Sequence, residues 1–452
     1  MPAKFDIVPS HAAIIPAEGN MNMLTSLVLK DRNDAGLSET AINEALDRAL
    51  APRLGALRKV LLLPPDITRA NSGAGVITAH LYRHLQASAQ VDIMPALGTH
   101  EPMTREEVKA FFGEGVPFER LLVHNWRNEI MHIGQVPGQF VSEVSGGIVT
   151  DPIEVEVSRH LLDPSYDLIL SIGQVVPHEV VGMANYSKNI FVGCGGSAMI
   201  NRTHMLGAFY GMERMMGRDA TPVRKVLDYA EANFIQKLPL SYILTVTTTP
   251  QAGPVRVHGL FIGRERRLFE EAVRMSQSKN LTFLDRAPRK IVVNLDAQEF
   301  KSTWLGNKAI YRTRMAIADG GELIVLAPGV RKFGEDEAND LLIRKYGYVG
   351  RNRVLELVKQ SPDLHANLSV AAHLIHGSSD GRFGITYAVE QLTRAEVEGV
   401  NFKYQPYAEA IQRYNPASLR DGFNILPDGE ELFYISNPAL GLWAERKKFE
   451  SQ

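Results

Sequence analysis

Short runs of apolar residues, each ending in polar residues, recur along the chain and alternate with stretches typical of helices. Strands that are buried on both faces read as continuous Val, Ile and Leu, and they occur in parallel sheets that helices cover. The pattern therefore predicts an α/β fold. Five of the runs read as buried strands: KVLLL from Lys59, VDIM from Val91, YDLILSIG from Tyr166, KIVVN from Lys290 and GELIVLA from Gly321.

The length of 452 residues predicts two domains, because a single hydrophobic core rarely grows to this size. A new strand follows a long helical stretch near residues 281–289, and we place the boundary there. We predict an N-terminal catalytic and cofactor-binding domain at 1–284 and a C-terminal α/β domain at 285–409. Each is expected to hold a mainly parallel sheet flanked by helices, with the active site in the cleft between the domains. The turn-rich tail, about 410–452, is expected to pack back on the first domain.

Composition narrows the class of protein. Hydrophobic residues make up 45% of the chain and charged residues 22%, which is ordinary for a globular protein, and the formal net charge of −2 does not favour a nucleic-acid or membrane partner. No apolar run approaches the ~20 residues that span a bilayer, and the N-terminus lacks the pattern of a signal peptide. The single cysteine, Cys194, excludes an intramolecular disulfide and a multi-cysteine zinc site. We therefore expect a cytoplasmic protein.

Polar side chains follow three of the predicted strands. Asp66, Thr68 and Arg69 come after the first strand, His100 after the second and His178 after the third. Ligands of open α/β sheets bind beyond the carboxyl ends of the strands, so we expect these five side chains to share one cleft. Arg69 can bind a carboxylate through two parallel hydrogen bonds. The two histidines can stand on opposite faces of a substrate as acid and base.

The stretch from Val175 to His204 is mostly apolar, small and glycine-rich, yet it also holds Lys188. A lysine amine can carry a covalently attached group. The stretch ends at His204, the third histidine after His100 and His178, and a histidine is a good ligand for nickel, zinc, copper or iron. The turn VGCGGS does not match the G-x-G-x-x-G fingerprint of a dinucleotide site. Its three glycines could still let the backbone approach a phosphate: Gly193, Gly195 and Gly196.

Each of these residues also has a structural interpretation. A histidine at a strand end is often a hydrogen-bonded structural residue, Lys188 could be solvated, and the loop of Asp66 could be an ordinary helix cap. His373 and His376 have the spacing of one helix face, and without a third ligand nearby we interpret them as structural. Residue types alone therefore predict a carboxylate-binding α/β enzyme with acid/base histidines, for which a metal stays open.

Several motifs resemble those of the lactate racemase family, whose enzymes use a nickel-pincer nucleotide. DITR matches the family's Asp-x-x-Arg loop, GTHEPM its Gly-x-His-x-Pro-Met segment, and VVPHE its Glu-Pro-His strand end. The family places a cofactor-bearing lysine ten residues after this last histidine and a nickel-ligating histidine sixteen residues further on. Lys188 and His204 stand at those distances from His178. A Gln-x-x-Lys pair in the family's second domain matches QEFK, which contains Gln298 and Lys301.

The resemblance implies a racemase or epimerase of a 2-hydroxy acid, either lactate or a related, larger acid. Lys188 would hold the nucleotide covalently and His204 would ligate the nickel. His100 and His178 would flank the substrate hydroxyl as a two-sided acid/base pair while the C2 hydrogen leaves as hydride. The implied partners are the small hydroxy acid and the enzymes that mature the cofactor. Other residues would bind or orient the two ligands: for the cofactor Asp66, Thr68, Gly193, Gly195 and Gly196, and for the substrate Arg69, Gln298 and Lys301.

One segment departs from the family pattern. Where the family has glycines before the lysine, this chain reads GMANYSK, with Asn185 and Tyr186 in place of two of them. This change leaves open how the nucleotide is held and how large a substrate fits. Two alternatives therefore stay open. One is a non-catalytic ligand- or cofactor-binding homologue of the same fold, and the other is a dehydrogenase with a free nicotinamide cofactor, which the missing glycine fingerprint disfavours.

Overall fold

The computed structural model describes residues 13–15, 24–249, 254–439 and 441–451. The strands in these ranges are, in chain order, β1 (Ala13–Ile15), β2 (Ser26–Lys30), β3 (Lys59–Leu63), β4 (Gln90–Ile93), β5 (Ile130–Val136), β6 (Ile153–Ser158), β7 (Leu168–Gln174), β8 (Pro177–His178), β9 (Gly182–Met183), β10 (Leu240–Thr248), β11 (Arg256–Gly263), β12 (Leu281–Leu284), β13 (Lys290–Asn294), β14 (Glu322–Ala327), β15 (Gly384–Val389), β16 (Lys403–Pro406), β17 (Gly422–Ile425), β18 (Glu431–Ile435) and β19 (Leu442–Glu445).

Helices connect most of these strands. No helix in the described part of the chain combines the length and the apolar composition that crossing a bilayer requires. The α-helices are α1 (Glu39–Leu50), α2 (Ala74–Leu85), α3 (Arg105–Phe112), α4 (Gly138–Ser145), α5 (Ser197–Tyr210), α6 (Pro222–Phe234), α7 (Arg266–Asn280), α8 (Thr303–Gly306), α9 (Lys308–Tyr311), α10 (Glu337–Tyr346), α11 (Arg351–Gln360), α12 (Pro362–Ala366), α13 (Leu368–His376), α14 (Arg394–Gly399), α15 (Tyr407–Arg413) and α16 (Arg446–Glu450).

The first large sheet has seven strands in the order β1-β2-β11-β10-β7-β3-β4. The neighbours β4, β3, β7 and β10 run parallel, and the other three pairs are antiparallel. Both faces of the parallel part are buried: Val60 and Leu62 of β3 pack in a cluster with α1 to α3, whereas Leu61 and Leu63 pack in a cluster with α4 to α7. This two-sided burial explains why the strand reads as a continuous apolar run.

The second large sheet has six strands in the order β16-β15-β14-β13-β18-β17, and only the pair of β17 and β18 is antiparallel. It too is covered on both faces, because Ile291 and Val293 of β13 belong to one apolar cluster and Val292 to another. The α/β fold with mainly parallel sheets flanked by helices, predicted from the sequence, is confirmed.

The two large sheets use separate parts of the chain. Strands of the first lie before residue 264 and strands of the second lie after residue 289, while the exact boundary that we place at 284/285 stays a prediction. The tail, about 410–452, divides between the second large sheet and a separate two-stranded sheet. β17 and β18 belong to the second sheet, whereas β19 pairs in parallel with β12, and the guanidinium of Arg218 donates to the backbone oxygen of Phe449.

Candidate active site

A pocket opens beyond the carboxyl ends of β3, β4 and β7, where the first sheet meets helices that flank the second. Its opposite wall comes from Trp304 in α8, Tyr311 in α9 and two histidines of α13. The pocket brings together eight of the residues predicted for the site: Asp66, Thr68, Arg69, His100, His178, Lys188, Gly193 and His204.

The loop after β3 holds Asp66 as a buried hydrogen-bond acceptor for His100. Asp66 caps a short 3₁₀ turn by accepting from the backbone N–H of Thr68 at 3.0 Å, and its Oδ2 lies 2.6 Å from Nδ1 of His100. Burial raises the pKa of the Asp66 carboxyl, but the hydrogen bond and charge of His100 and the bond from Thr68 outweigh it and lower the pKa to about 2. A charged carboxylate accepts the Nδ1 proton, so the lone pair of neutral His100 is on Nε2.

The hydrogen bond that orients His178 differs from the one that orients His100. His178 is buried in the short strand β8, and its Nδ1 accepts the backbone N–H of Val180 at 3.1 Å. Burial lowers the pKa of His178 well below its usual range, by more than the neighbouring Glu179 carboxylate raises it. The ring is therefore neutral at pH 7, and because Nδ1 is an acceptor, the ring proton is on Nε2.

Lys188 follows the segment that departs from the family pattern. Asn185 and Tyr186 keep the left-handed backbone that favours glycine, with φ of 67° and 57°. Arg224 stabilises this turn by donating to the backbone oxygens of Met183 and Asn185, at 2.6 and 3.1 Å. Burial, and after it the charge of Arg69, lowers the pKa of Lys188 to about 8. Asn185 and Tyr186 therefore adopt a backbone conformation that glycines also adopt readily, and the Lys188 amine that follows is partly neutral near pH 8.

His204 lies on α5, one turn after the residue that fixes its ring. The Nδ1 of His204 donates to the backbone oxygen of Ile200 at 2.6 Å, and burial lowers the pKa of the ring. This hydrogen bond puts the lone pair on Nε2, which is how proteins orient a metal-binding imidazole. A buried lysine amine and an imidazole with a free Nε2 in one pocket fit a nucleotide that is attached to lysine and carries a nickel ion.

Four predicted residues do not line this pocket. Gly195 and Gly196 are required by the packing of the protein itself, because an added Cβ would lie 1.9 Å from the backbone oxygen of Phe191 and 2.3 Å from Oε2 of Glu156, respectively. The other two, Gln298 and Lys301, are exposed between β13 and α8.

A different lysine, which the sequence reasoning missed, faces the same cleft. Lys308 begins α9, and with Arg69, His178 and Glu299 it lines a smaller cavity that shares residues with the pocket. Burial, followed by the charge of Arg69, lowers the pKa of Lys308 to about 8. The signal in the sequence is a lysine in the otherwise uncharged stretch from Gly306 to Tyr311 (GNKAIY).

The histidines of α13, interpreted as structural, both line the pocket. His373 is also hydrogen-bonded, with its Nε2 2.9 Å from the hydroxyl of Tyr348, and its ring stacks on Trp304 with centroids 4.3 Å apart. His376 has a buried Nε2 without a hydrogen-bond partner, and burial lowers its pKa to about 4. Around α13, this wall therefore presents neutral, largely aromatic side chains to the pocket.

Comparison with known proteins shows similarity to lactate racemases. Residues 12–217 match the family model described as lactate racemase N-terminal domain. The chain is 26% identical over 255 residues to the lactate racemase of Thermoanaerobacterium thermosaccharolyticum, a match that covers 54% of this chain and 53% of that protein. The matched region thus spans about half the length of that relative. The resemblance to the lactate racemase family that the motifs predict is confirmed.

Two solved structures share the fold over most of the chain. A crystal structure of a protein from Thermotoga maritima superposes with a TM-score of 0.77 at 24% identity, covering 92% of this chain and 100% of that one. The lactate racemase apoprotein of T. thermosaccharolyticum superposes with a TM-score of 0.66 at 17% identity, covering 90% and 93%. At these identities the likeness concerns the fold alone.

Proposed function

We propose that this protein is a racemase or epimerase of a 2-hydroxy acid, either lactate or a larger acid of the same type. The observation that carries the proposal is the convergence of His100, His178, Lys188, His204 and Arg69 on one pocket. These side chains supply two imidazoles for the substrate hydroxyl, a site for the cofactor and a cation for the carboxylate.

Lys188 and His204 are the residues that would hold the nickel-pincer nucleotide. The amine of Lys188 is buried and partly neutral near pH 8, as a nucleophile must be, and Nε2 of His204 carries a lone pair. When bound, the nucleotide would supply an acceptor for the C2 hydrogen of the substrate. Maturation enzymes that deliver it are partners under this proposal.

His100 is assigned the exchange of the hydroxyl proton. Its Nε2 carries the lone pair, and the buried Asp66 carboxylate stabilises the imidazolium that forms when this nitrogen takes a proton. A paired carboxylate also fixes the ring, so the base does not reorient during the reaction.

His178 is assigned a hydrogen bond to the same oxygen. A neutral imidazole whose proton is on Nε2 can donate to a carbonyl or alkoxide oxygen, as a neutral electrophilic histidine does in other enzymes. To accept a proton at Nε2, His178 would have to give up the hydrogen bond from Val180. The symmetrical acid/base pair implied by the family resemblance thus becomes, in this arrangement, a base with a carboxylate partner opposite a neutral donor.

Arg69 and Lys308 are assigned to the substrate carboxylate. Both reach the cavity beside His178, whereas Lys301 is exposed. A cation whose pKa is lowered by burial and a neighbouring positive charge gains most from a bound anion, because the anion offsets both effects. We therefore place the carboxylate between the two cations.

The test is a screen of 2-hydroxy acid enantiomers on protein matured with the family's biosynthetic enzymes, with adduct formation first confirmed by intact mass. Chiral chromatography should show at least one enantiomer converting to a mixture of both. Protein that carries the adduct but interconverts no 2-hydroxy acid would favour the non-catalytic cofactor-binding homologue.

A further inference from the structure

A second group of metal-ligating side chains lies away from the pocket, between α1 and α2. His80 and His84 stand one turn apart on α2, and Asp47 reaches them from α1. None of the three lines the pocket that holds Lys188. All three side chains are partly exposed, so an ion from solution can reach them.

The ligand atoms of this cluster already converge. One carboxylate oxygen, Oδ1 of Asp47, lies 2.8 Å from Nε2 of His80 and 3.4 Å from Nδ1 of His84. The three ligand atoms lie within 4.8 Å of one another. Ligands around a tetrahedral zinc ion at the usual bond lengths are roughly 3.4 Å apart, so small rotations about the side-chain bonds suffice to enclose an ion.

A second cluster, Asp31, Asp34 and His258, has a similar composition, but its potential ligand atoms already bind other protein groups. His258 uses both ring nitrogens, Nδ1 with Asp31 at 2.8 Å and Nε2 with Thr248 at 2.7 Å, and Asp34 forms a salt bridge with Lys279. These groups satisfy one another without an ion. In the first cluster, by contrast, two imidazole nitrogens share a single carboxylate oxygen.

We propose that Asp47, His80 and His84 form a binding site for a divalent transition-metal cation, with water in the remaining positions. Two imidazoles and one carboxylate suit Zn²⁺, Ni²⁺ or Cu²⁺ rather than Mg²⁺ or Ca²⁺, which prefer oxygen ligands. The bound ion links α1 to α2. It is additional to any metal ion that His204 ligates. The site does not depend on the proposed catalytic function.

Zinc titration of the purified protein tests the site. The titrations use isothermal calorimetry in a His204→Ala background, which removes the pocket ligand. His80→Gln and His84→Gln should each weaken binding at least tenfold, and the double variant should remove one Zn²⁺ equivalent. The matched control is His132→Gln, because His132 is exposed and pairs with Glu154 without a second histidine. Unchanged stoichiometry and affinity in His84→Gln, or equal losses in the control, would overturn the proposal.

A second measurement uses the unsubstituted protein, so its result does not depend on whether the variants fold. Diethylpyrocarbonate modifies histidines whose ring nitrogens are free, and peptide mass spectrometry reads each position. Saturating Zn²⁺ should slow modification of His80 and His84 at least tenfold and leave His132 unchanged. Modification of His80 and His84 at the same rate with and without Zn²⁺ would contradict the site.

Discussion

Two lysines face the cleft from opposite walls, the half-buried Lys188 beside the first sheet and the buried Lys308 beside the second. Their electrostatic settings are alike: burial is the main cause that lowers each pKa to about 8, and the charge of Arg69 is the next. Their surroundings differ. Lys188 shares its wall with His204, whereas Lys308 lies near the acidic Glu299 in the smaller cavity.

The comparison shows that a perturbed lysine does not reveal its role by its pKa alone. The role follows from the groups that can act with the amine. Lys188 has a potential metal ligand, His204, in the same pocket, which suits covalent attachment of a cofactor. Lys308 lines its cavity together with two arginines, Arg69 and Arg312, which suits an anionic substrate. Under the proposed function, the wall of the first sheet would carry the chemistry of the pocket and the wall of the second sheet would supply substrate recognition.

The largest expected effect is on attachment of the cofactor, and the mass of the protein distinguishes the two lysines. Lys188→Ala should abolish both the cofactor adduct and turnover, because no other amine at that position can form the attachment. Intact mass spectrometry of matured protein checks the adduct directly. Lys308→Ala should keep the full mass increment, so an adduct lost in the Lys308 variant and retained in the Lys188 variant would reverse the assignment.

The two histidines of the first wall should differ in the size of their effect. His100→Ala should lower turnover by roughly 10²–10⁴-fold, the usual contribution of a general acid/base. His178→Ala should cost about 10²–10³-fold, as expected for loss of one donor to a developing oxyanion. Steady-state turnover of matured variants with equal adduct content measures both. Full activity in His100→Ala would remove the proton-exchange role.

Lys308 should affect binding more than turnover. A hydrogen bond to a charged group is worth about 1.5–3 kcal/mol, so Lys308→Met should raise KM by roughly 10–150-fold while kcat changes little. Lys301→Met is the matched control, because this exposed lysine lies outside both cavities. A larger KM effect in Lys301→Met would restore the substrate role that the family resemblance implies for it.

The smallest effect is a pH dependence of substrate binding. With a lowered pKa of about 8, Lys308 is mostly charged at pH 7 and mostly neutral at pH 9. KM should therefore rise by up to about tenfold between these values, and Lys308→Met should lose this part of the dependence. A KM profile that is the same in both proteins would show that another group titrates.

The sequence predicts the first wall far better than the second. His100 and His178 could be located because each follows a strand that is mostly apolar and buried. The wall of the second sheet is built from residues such as Trp304 and Lys308 on helices of four residues, which are too short to show any periodicity. Gly195 and Gly196 illustrate the limit of local patterns: their close approaches to Phe191 and Glu156 depend on tertiary contacts that the sequence does not show, and the cofactor role that the resemblance implies for them stays a prediction.

The central claim is that this pocket inverts a 2-hydroxy acid while its side chains handle only the hydroxyl proton. The most direct test follows one enantiomer, labelled with deuterium at C2, in ordinary water with matured protein. The account predicts the opposite enantiomer with the deuterium retained at C2, because no side chain assigned here passes the C2 hydrogen to solvent. Inversion accompanied by loss of the label to water would contradict it, and so would the absence of inversion in protein with a confirmed Lys188 adduct.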